Sequence, residues 1–348
     1  MGSTVLWSAK QLVEHQFKFL IAPSDFASIS AFQTFIGPLA LAALQGVWSA
    51  RGYLVMNLTK KSLVTLVLVS SSLCFAQKGT FTTYTTTWNG LSRIYSIYVP
   101  PTLAANPAVV FCLHGHSMAA QDNPPLYNCT KFYQMDHAAD VYGFLLVVPV
   151  SSWRTPISTG SPGIWTWEDY NLAKFFPTPP DDSGFIRNLI QTLSPQYNID
   201  PNRVFVMGMS AGAEMTHRLG IDLSDVIAAI APVSGAVWDS TPKPPLPNAL
   251  FPVSVLEFHG DLDTSIPYCG SSIHASVDQS VSYWLAQDGM PPNTTPLCTN
   301  GTPTPNAYSI DFENEKVEVE FFREVQIAHI YRTGVDDAIW AFFATHGR

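Results

Sequence analysis

Residues 204–212 decide the fold, and they read Val204-Phe205-Val206-Met207-Gly208-Met209-Ser210-Ala211-Gly212. The first four residues are all apolar, as in a strand that is buried on both faces of a sheet. A helix-compatible stretch begins at residue 211, so Gly-x-Ser-x-Gly lies between a strand and a helix. Such a turn lifts the serine hydroxyl above the sheet, and glycines flank it because larger side chains would collide. This pattern predicts that Ser210 is a nucleophile and that the Ala211 N–H binds an oxyanion.

Short apolar runs alternate with helical stretches on both sides of this turn. The predicted strands are 93–99, 108–113, 144–148, 204–207, 227–230, 253–258 and 317–322, and the predicted helices are about 130–141, 183–195, 211–220, 272–287 and 335–345. Strands that are separated by helices favour right-handed crossovers and parallel pairing. The expected fold class is therefore α/β, with a mostly parallel central sheet and helices on both faces.

The segment Leu113-His114-Gly115-His116-Ser117 follows the second predicted strand. In hydrolases with this kind of serine turn, the loop after that strand supplies a second oxyanion donor. We assign this donor to the N–H of His116, with Gly115 permitting a close backbone approach. For the His114 side chain, packing within the loop is the default interpretation.

An acid and then a base should follow the serine in the chain. Asp263 lies after the strand that ends at Phe258 and is the predicted acid, with Asp261 as the alternative. His329 is the predicted base because it follows a strand-rich stretch and precedes the last helix. His274 comes too soon after the acid, and His346 lies two residues from the end of the sequence.

The long loop between residues 149 and 181 is rich in aromatic side chains. It contains Trp153, Trp165, Trp167 and Tyr170. Such residues are suited to an acyl or sugar subsite, for which Trp165 and Trp167 are the candidates. The alternative is that they pack the loop onto the domain.

Several segments together resemble the feruloyl esterase and polyhydroxybutyrate depolymerase family of α/β-hydrolases. These segments are 181–187, 197–204, 208–212 and 231–235, together with His259-Gly260, Asp263 and Pro267-Tyr268. The resemblance implies an α/β-hydrolase fold and a serine esterase with Ser210, Asp263 and His329 as its triad. It also implies that no cofactor is needed, and we find no cysteine and histidine spacing typical of a zinc site.

The composition restricts the partners of the protein. The 348 residues include 18 basic and 27 acidic side chains, for a formal charge of −9. A balance of this kind does not provide a phosphate-binding surface, so we expect no nucleic-acid partner. The expected partner is a small-molecule or polymeric ester, and we expect no stable membrane association of the mature protein.

Residues 56–76 have the organisation of a secretory signal peptide. Lys60 and Lys61 precede a short apolar stretch, and small residues lead to Ala76. We therefore expect residues 1–55 to be an upstream extension outside the mature protein, and residues 77–348 to be the secreted catalytic domain. Export permits disulfides among the four later cysteines, for which Cys269–Cys298 is the preferred pair and Cys112 is expected to be a buried thiol.

Three substrate classes fit such an esterase. The first is hydroxycinnamoyl esters of plant polysaccharide, the second is a polyester such as polyhydroxybutyrate, and the third is acetylated xylan. A hydrolase-fold protein that binds ligand without turnover is the alternative from a different class.

Overall fold

Seven of the nine strands that the structure describes in the central sheet begin and end close to the predicted positions. A computed structural model describes residues 78–117, 125–155, 163–168, 180–237, 249–314 and 316–348. The predicted signal peptide, the upstream extension and Tyr170 lie outside these residues. The strands are β1 (Thr80–Trp88), β2 (Leu91–Val99), β3 (Val109–Leu113), β4 (Leu145–Pro149), β5 (Ser152–Arg154), β6 (Ile164–Thr166), β7 (Val204–Met209), β8 (Ala229–Val233), β9 (Ser254–Gly260), β10 (Cys298–Thr299), β11 (Thr302–Pro303), β12 (Ser309–Glu313) and β13 (Glu318–Glu324).

Among the described residues, nine strands form one sheet in the order β1-β2-β4-β3-β7-β8-β9-β13-β12. Pairing is parallel from β4 through β3, β7, β8 and β9 to β13, and antiparallel at both edges. All residues of β3, β4, β7, β8 and β9 are buried, which explains their apolar runs. In β9 the run is interrupted by Glu257 and His259.

Helices cover both faces of this sheet. They are α1 (Asn128–Lys131), α2 (Met135–Tyr142), α3 (Asp182–Tyr197), α4 (Ala211–Asp222), α5 (Val277–Gln287) and α6 (Val335–Thr345). One hydrophobic cluster joins the sheet to side chains of α3, α4 and α5, and a second joins its opposite face to α2 and α6. The α/β-hydrolase architecture predicted from the sequence is confirmed.

The sequence analysis predicted neither edge strand of the central sheet, β12 or β1. The strand β1 shows the reason. Most of its side chains are exposed, so it lacks the apolar run by which buried strands are recognised. Its connection to β2 carries a detectable signal, since Asn89 (φ 47°) and Gly90 (φ 78°) both have positive φ. Asn-Gly in this conformation is the preferred two-residue hairpin turn.

Within the described chain, the four cysteines form two disulfides. Cys269 is bonded to Cys298, as predicted. Cys112 is bonded to Cys129, with their Cα atoms 6.0 Å apart. The expectation of a buried thiol at Cys112 is therefore wrong, because α1 brings Cys129 to the end of β3.

Candidate active site

Ser210 lies at the turn between β7 and α4 and has a strained backbone. Its φ of 59° and ψ of −127° lie outside the regions that residues with a side chain normally occupy. The flanking glycines make this turn possible. A Cβ at Gly208 would lie 2.5 Å from the Gly212 oxygen, and a Cβ at Gly212 would collide with the Leu113 carbonyl. The strain is consistent with a nucleophile held above the sheet.

The loop after β3 approaches this serine closely. A Cβ at Gly115 would lie 3.2 Å from the Ser210 Cβ and 3.7 Å from its Oγ, so glycine permits the approach. Desolvation and the nearby rings of His329 and His274 together lower the pKa of His116 to about 4. Ala211 is the first residue of α4, where backbone N–H groups have no partner within the helix. The predicted oxyanion donors His116 and Ala211 therefore lie on the two segments that meet at Ser210.

His114 holds this loop in place from within the core. Its Nε2 accepts a hydrogen bond from the Ser151 N–H at 3.1 Å, so its Nδ1 carries the proton and donates to the Gly115 oxygen at 2.6 Å. Burial lowers the pKa of His114 to about 4, which keeps the ring neutral. This side chain has the packing role that the sequence indicated.

Asp263 and His329 meet at the same edge of the sheet, on the loops after β9 and β13. His329 Nδ1 lies 2.7 Å from Asp263 Oδ2. The other carboxylate oxygen, Oδ1, accepts hydrogen bonds from the backbone N–H groups of Ser265 at 2.8 Å and Ile266 at 2.9 Å. Burial favours the neutral form of Asp263, but the bonds from His329 and the Ile266 N–H outweigh it and lower the pKa. The carboxylate is therefore charged and can orient the imidazole.

The alternative acid, Asp261, faces another partner. Its carboxylate binds the Arg323 guanidinium at 2.8 Å and accepts the Gln326 N–H at 2.7 Å. The carboxylate of Asp261 is occupied by these two contacts.

The two histidines that were rejected as the base differ in their surroundings. His346 Nε2 lies 2.8 Å from Glu318, and its ring stacks on Phe342. His274 lies nearer to the site than its sequence position indicated, with its Nε2 3.9 Å from buried Glu214 on α4.

The two candidate substrate-binding tryptophans are both buried. Trp167 is 0% exposed, and its indole N–H donates to the His114 carbonyl at 2.7 Å. The ring of Trp167 packs under the loop after β3, as in the packing alternative, and contact between Trp167 and a substrate stays a prediction. Trp165 is 7% exposed, and its backbone pairs with Ser117 through two hydrogen bonds. Contact between Trp165 and a substrate stays a prediction.

The sequence analysis missed Glu257 and named His259 only as part of the family resemblance. Both lie behind Asp263 on β9, with side chains that are 2% and 1% exposed. A detectable signal exists, since an acidic residue inside an otherwise apolar buried strand is rare unless it is paired. Among the described residues, no group of three histidine, cysteine or acidic side chains is arranged to hold a metal ion.

Comparison with known proteins shows which sequences this chain resembles. Residues 93–243 match the family model described as Esterase PHB depolymerase. The predicted resemblance to this family is confirmed. Acetylxylan esterase A of Emericella nidulans is 30% identical over 135 residues, which cover 39% of this chain and 40% of that protein. Feruloyl esterase B of Neurospora crassa is 33% identical over 144 residues, which cover 41% and 44%. The chain thus spans less than half the length of these curated relatives.

Solved structures support the same fold. An S-formylglutathione hydrolase from Agrobacterium tumefaciens aligns with a TM-score of 0.51 at 13% identity, covering 78% of this chain and 96% of that one. The crystal structure of a protein named pOPH aligns with a TM-score of 0.51 at 16% identity, covering 76% of this chain and 87% of that one. Similarity at this level of identity supports the α/β-hydrolase fold and carries no information on substrate.

Proposed function

We propose that this protein is a serine carboxylic ester hydrolase with Ser210, Asp263 and His329 as its triad. The observation that carries the proposal is the 2.7 Å contact between Asp263 Oδ2 and His329 Nδ1, at the edge of the sheet where Ser210 lies. Because Nδ1 faces a carboxylate, it carries a proton, and Nε2 is then free to accept the proton of Ser210.

The reaction proceeds in two acyl-transfer steps. Ser210 Oγ attacks the ester carbonyl while His329 Nε2 takes its proton, and the N–H groups of His116 and Ala211 bind the oxyanion. The protonated His329 then gives this proton to the leaving alcohol. Water attacks the acyl-serine in the second step with His329 again as the base, which releases the acid and restores Ser210.

The proposed substrates are ester-linked acyl groups on plant polysaccharide, with hydroxycinnamoyl esters first. The similarity to a protein named feruloyl esterase B supports this choice. Acetylated xylan is the second candidate, supported by the similarity to a protein named acetylxylan esterase A. The name of the matching family keeps a polyester as the third candidate.

We also propose that the mature protein is exported. The two disulfides support this proposal, since such bonds persist in oxidising compartments. Of the helices in the described ranges, none has the length and apolar character needed to span a membrane.

The test compares the wild-type protein with Ser210→Ala on methyl ferulate, acetylated xylan and short polyhydroxybutyrate oligomers. We expect turnover of at least one ester by the wild type and none above background by the variant. A fluorophosphonate, which modifies activated serines, should label only the wild type. If the wild type hydrolyses none of these esters and resists the probe, the binding-protein alternative replaces this proposal.

A further inference from the structure

A row of buried ionisable side chains continues from Asp263 into the core. His259 Nε2 lies 3.5 Å from Asp263 Oδ2, and His259 Nδ1 lies 3.9 Å from Glu257 Oε1. On the far side, Glu257 Oε2 lies 3.9 Å from His217 Nε2. The side chains of His217, Glu257 and His259 are at most 2% exposed. The acid of the proposed triad therefore has a second histidine behind it, and that histidine has a carboxylate of its own.

The chemistry of Trp284 determines the protonation of His217. An indole N–H can only donate, and the Trp284 Nε1 lies 3.0 Å from His217 Nδ1. Nδ1 is therefore the acceptor. Burial lowers the pKa of His217 to about 3, and His259 acts in the same direction. The ring is neutral, and its one proton is on Nε2, which faces Glu257.

His259 lies between two carboxylates, which favour a positive charge on its ring. Its Nε2 donates to the Ile266 carbonyl at 2.8 Å, so this nitrogen is protonated. Burial lowers the pKa of His259, but Glu257, the Ile266 carbonyl and Asp263 together raise it above its ordinary value. Burial raises the pKa of Glu257, and His259 opposes that increase. A second proton on this ring would lie on Nδ1, which is 3.9 Å from Glu257 Oε1.

The other charged groups around this pair have partners of their own. Glu324 on β13 interacts electrostatically with His259, and its carboxylate lies 3.5 Å from Arg332. Arg323, the β13 residue in register with His259, binds Asp261. The neutral ring of Tyr268 stands edge-on to His259 with centroids 5.9 Å apart. Glu257 is therefore the carboxylate that faces the Nδ1 side of His259.

We propose that Glu257 and His259 are a buried positioning pair that keeps a positive charge beside Asp263 and so sets the acidic limit of catalysis by His329. The catalytic consequence rests on the proposed function, whereas the charge on His259 does not. With His259 charged, part of the negative charge of Asp263 is compensated, so Asp263 attracts a proton to His329 less strongly. The base consequently stays neutral, and competent, at lower pH.

Removal of either partner should abolish this effect. In Glu257→Gln, His259 retains one carboxylate neighbour, and burial returns its ring to the neutral form. In His259→Gln, the amide can still donate to the Ile266 carbonyl, but the positive charge is gone. Both variants should move the acidic limb of the kcat/KM profile to higher pH by about half to one pH unit. This size is expected when the positive charge near Asp263 is lost together with the more distant negative charge of Glu257.

The experiment measures kcat/KM between pH 4 and 8 for both variants, for the double variant and for Asp288→Asn as a matched control. Asp288 is also a buried carboxylate, but it binds the Val253 N–H at the opposite end of β9. We expect equal upward shifts in the two single variants, no further shift in the double variant and none in the control. Shifts that match the control, or that add in the double variant, would overturn the proposal.

A second readout does not depend on turnover. The ring of His329 can be titrated by NMR in a Ser210→Ala background, with and without Glu257→Gln, and its midpoint should rise by the same amount. In the protein without changes at Glu257 or His259, both ring nitrogens of His259 should be protonated at pH 7. A neutral His259 ring would overturn the proposal. This measurement does not require the Glu257 variant to fold. An inactive wild type with a charged His259 would instead count against the esterase function alone.

Discussion

Replacement of Asp263 by asparagine should stop catalysis by reversing the tautomer of His329. Asp263 Oδ1 accepts two backbone N–H groups, whereas Oδ2 faces His329 Nδ1 at 2.7 Å. In Asp263→Asn, the amide oxygen retains the two backbone donors, so the amide NH2 takes the position of Oδ2. This NH2 can only donate, and His329 Nδ1 must become the acceptor.

The magnitude follows from the position of the remaining proton. With Nδ1 as acceptor, the proton of the neutral ring lies on Nε2, which then cannot take the proton of Ser210. A reversed tautomer in a catalytic triad costs about 10⁴-fold in kcat, which corresponds to about 5.4 kcal/mol of activation free energy.

The assay is steady-state hydrolysis of a chromogenic acetyl or feruloyl ester, with thermal unfolding to show that the variant is folded. Asp261→Asn is the matched control, because Asp261 binds Arg323 and not His329. The control should keep kcat within about threefold of wild type, as expected for a group outside the triad. A folded Asp263→Asn enzyme that loses less than about tenfold in kcat would refute the tautomer argument, since each factor of ten is about 1.4 kcal/mol.

Three further predictions concern the base, the disulfides and a buried carboxylate. His329→Ala should lower kcat about as much as Ser210→Ala, because triad members act as a unit. His346→Ala, which removes a ring bound to Glu318, should leave kcat unchanged. The opposite ranking of the two histidine variants would place the base at His346. Reduction should lower Tm in calorimetry, since each disulfide stabilises by about 2–4 kcal/mol, and an unchanged Tm in reductant would contradict the pairing. Burial raises the pKa of Asp288 to about 7, so the folded protein keeps a proton that the unfolded chain releases near pH 4. Stability should therefore fall as pH rises from about 4 to 7, by at most about 4 kcal/mol from this group, and urea unfolding of Asp288→Asn should lack this decrease. Equal slopes for variant and wild type would exclude the effect.

Much of the fold could be predicted because the inner strands are buried and therefore consist mainly of apolar residues. Strands such as β3 and β7 are buried on both faces, so their apolar runs identify them. The helices between successive strands then indicate parallel pairing. The edge strand β1 escaped prediction because an exposed, threonine-rich strand has no such run. The candidate triad could also be predicted from the sequence, because the nucleophile, the acid and the base follow strands in a fixed chain order.

Local features could be predicted from the order of the residues: the strained turn at Ser210, the order of strands and helices, and the short list of acids and bases after them. Which of these side chains meet depends on the tertiary structure. It turned Asp263 toward His329 and Asp261 toward Arg323, although the two acids are two residues apart in the chain. It also placed Trp167 beneath the loop after β3 and His259 behind Asp263. Contacts of this kind depend on the packing of segments that are far apart in the chain, and local periodicity does not encode the direction in which a loop side chain points.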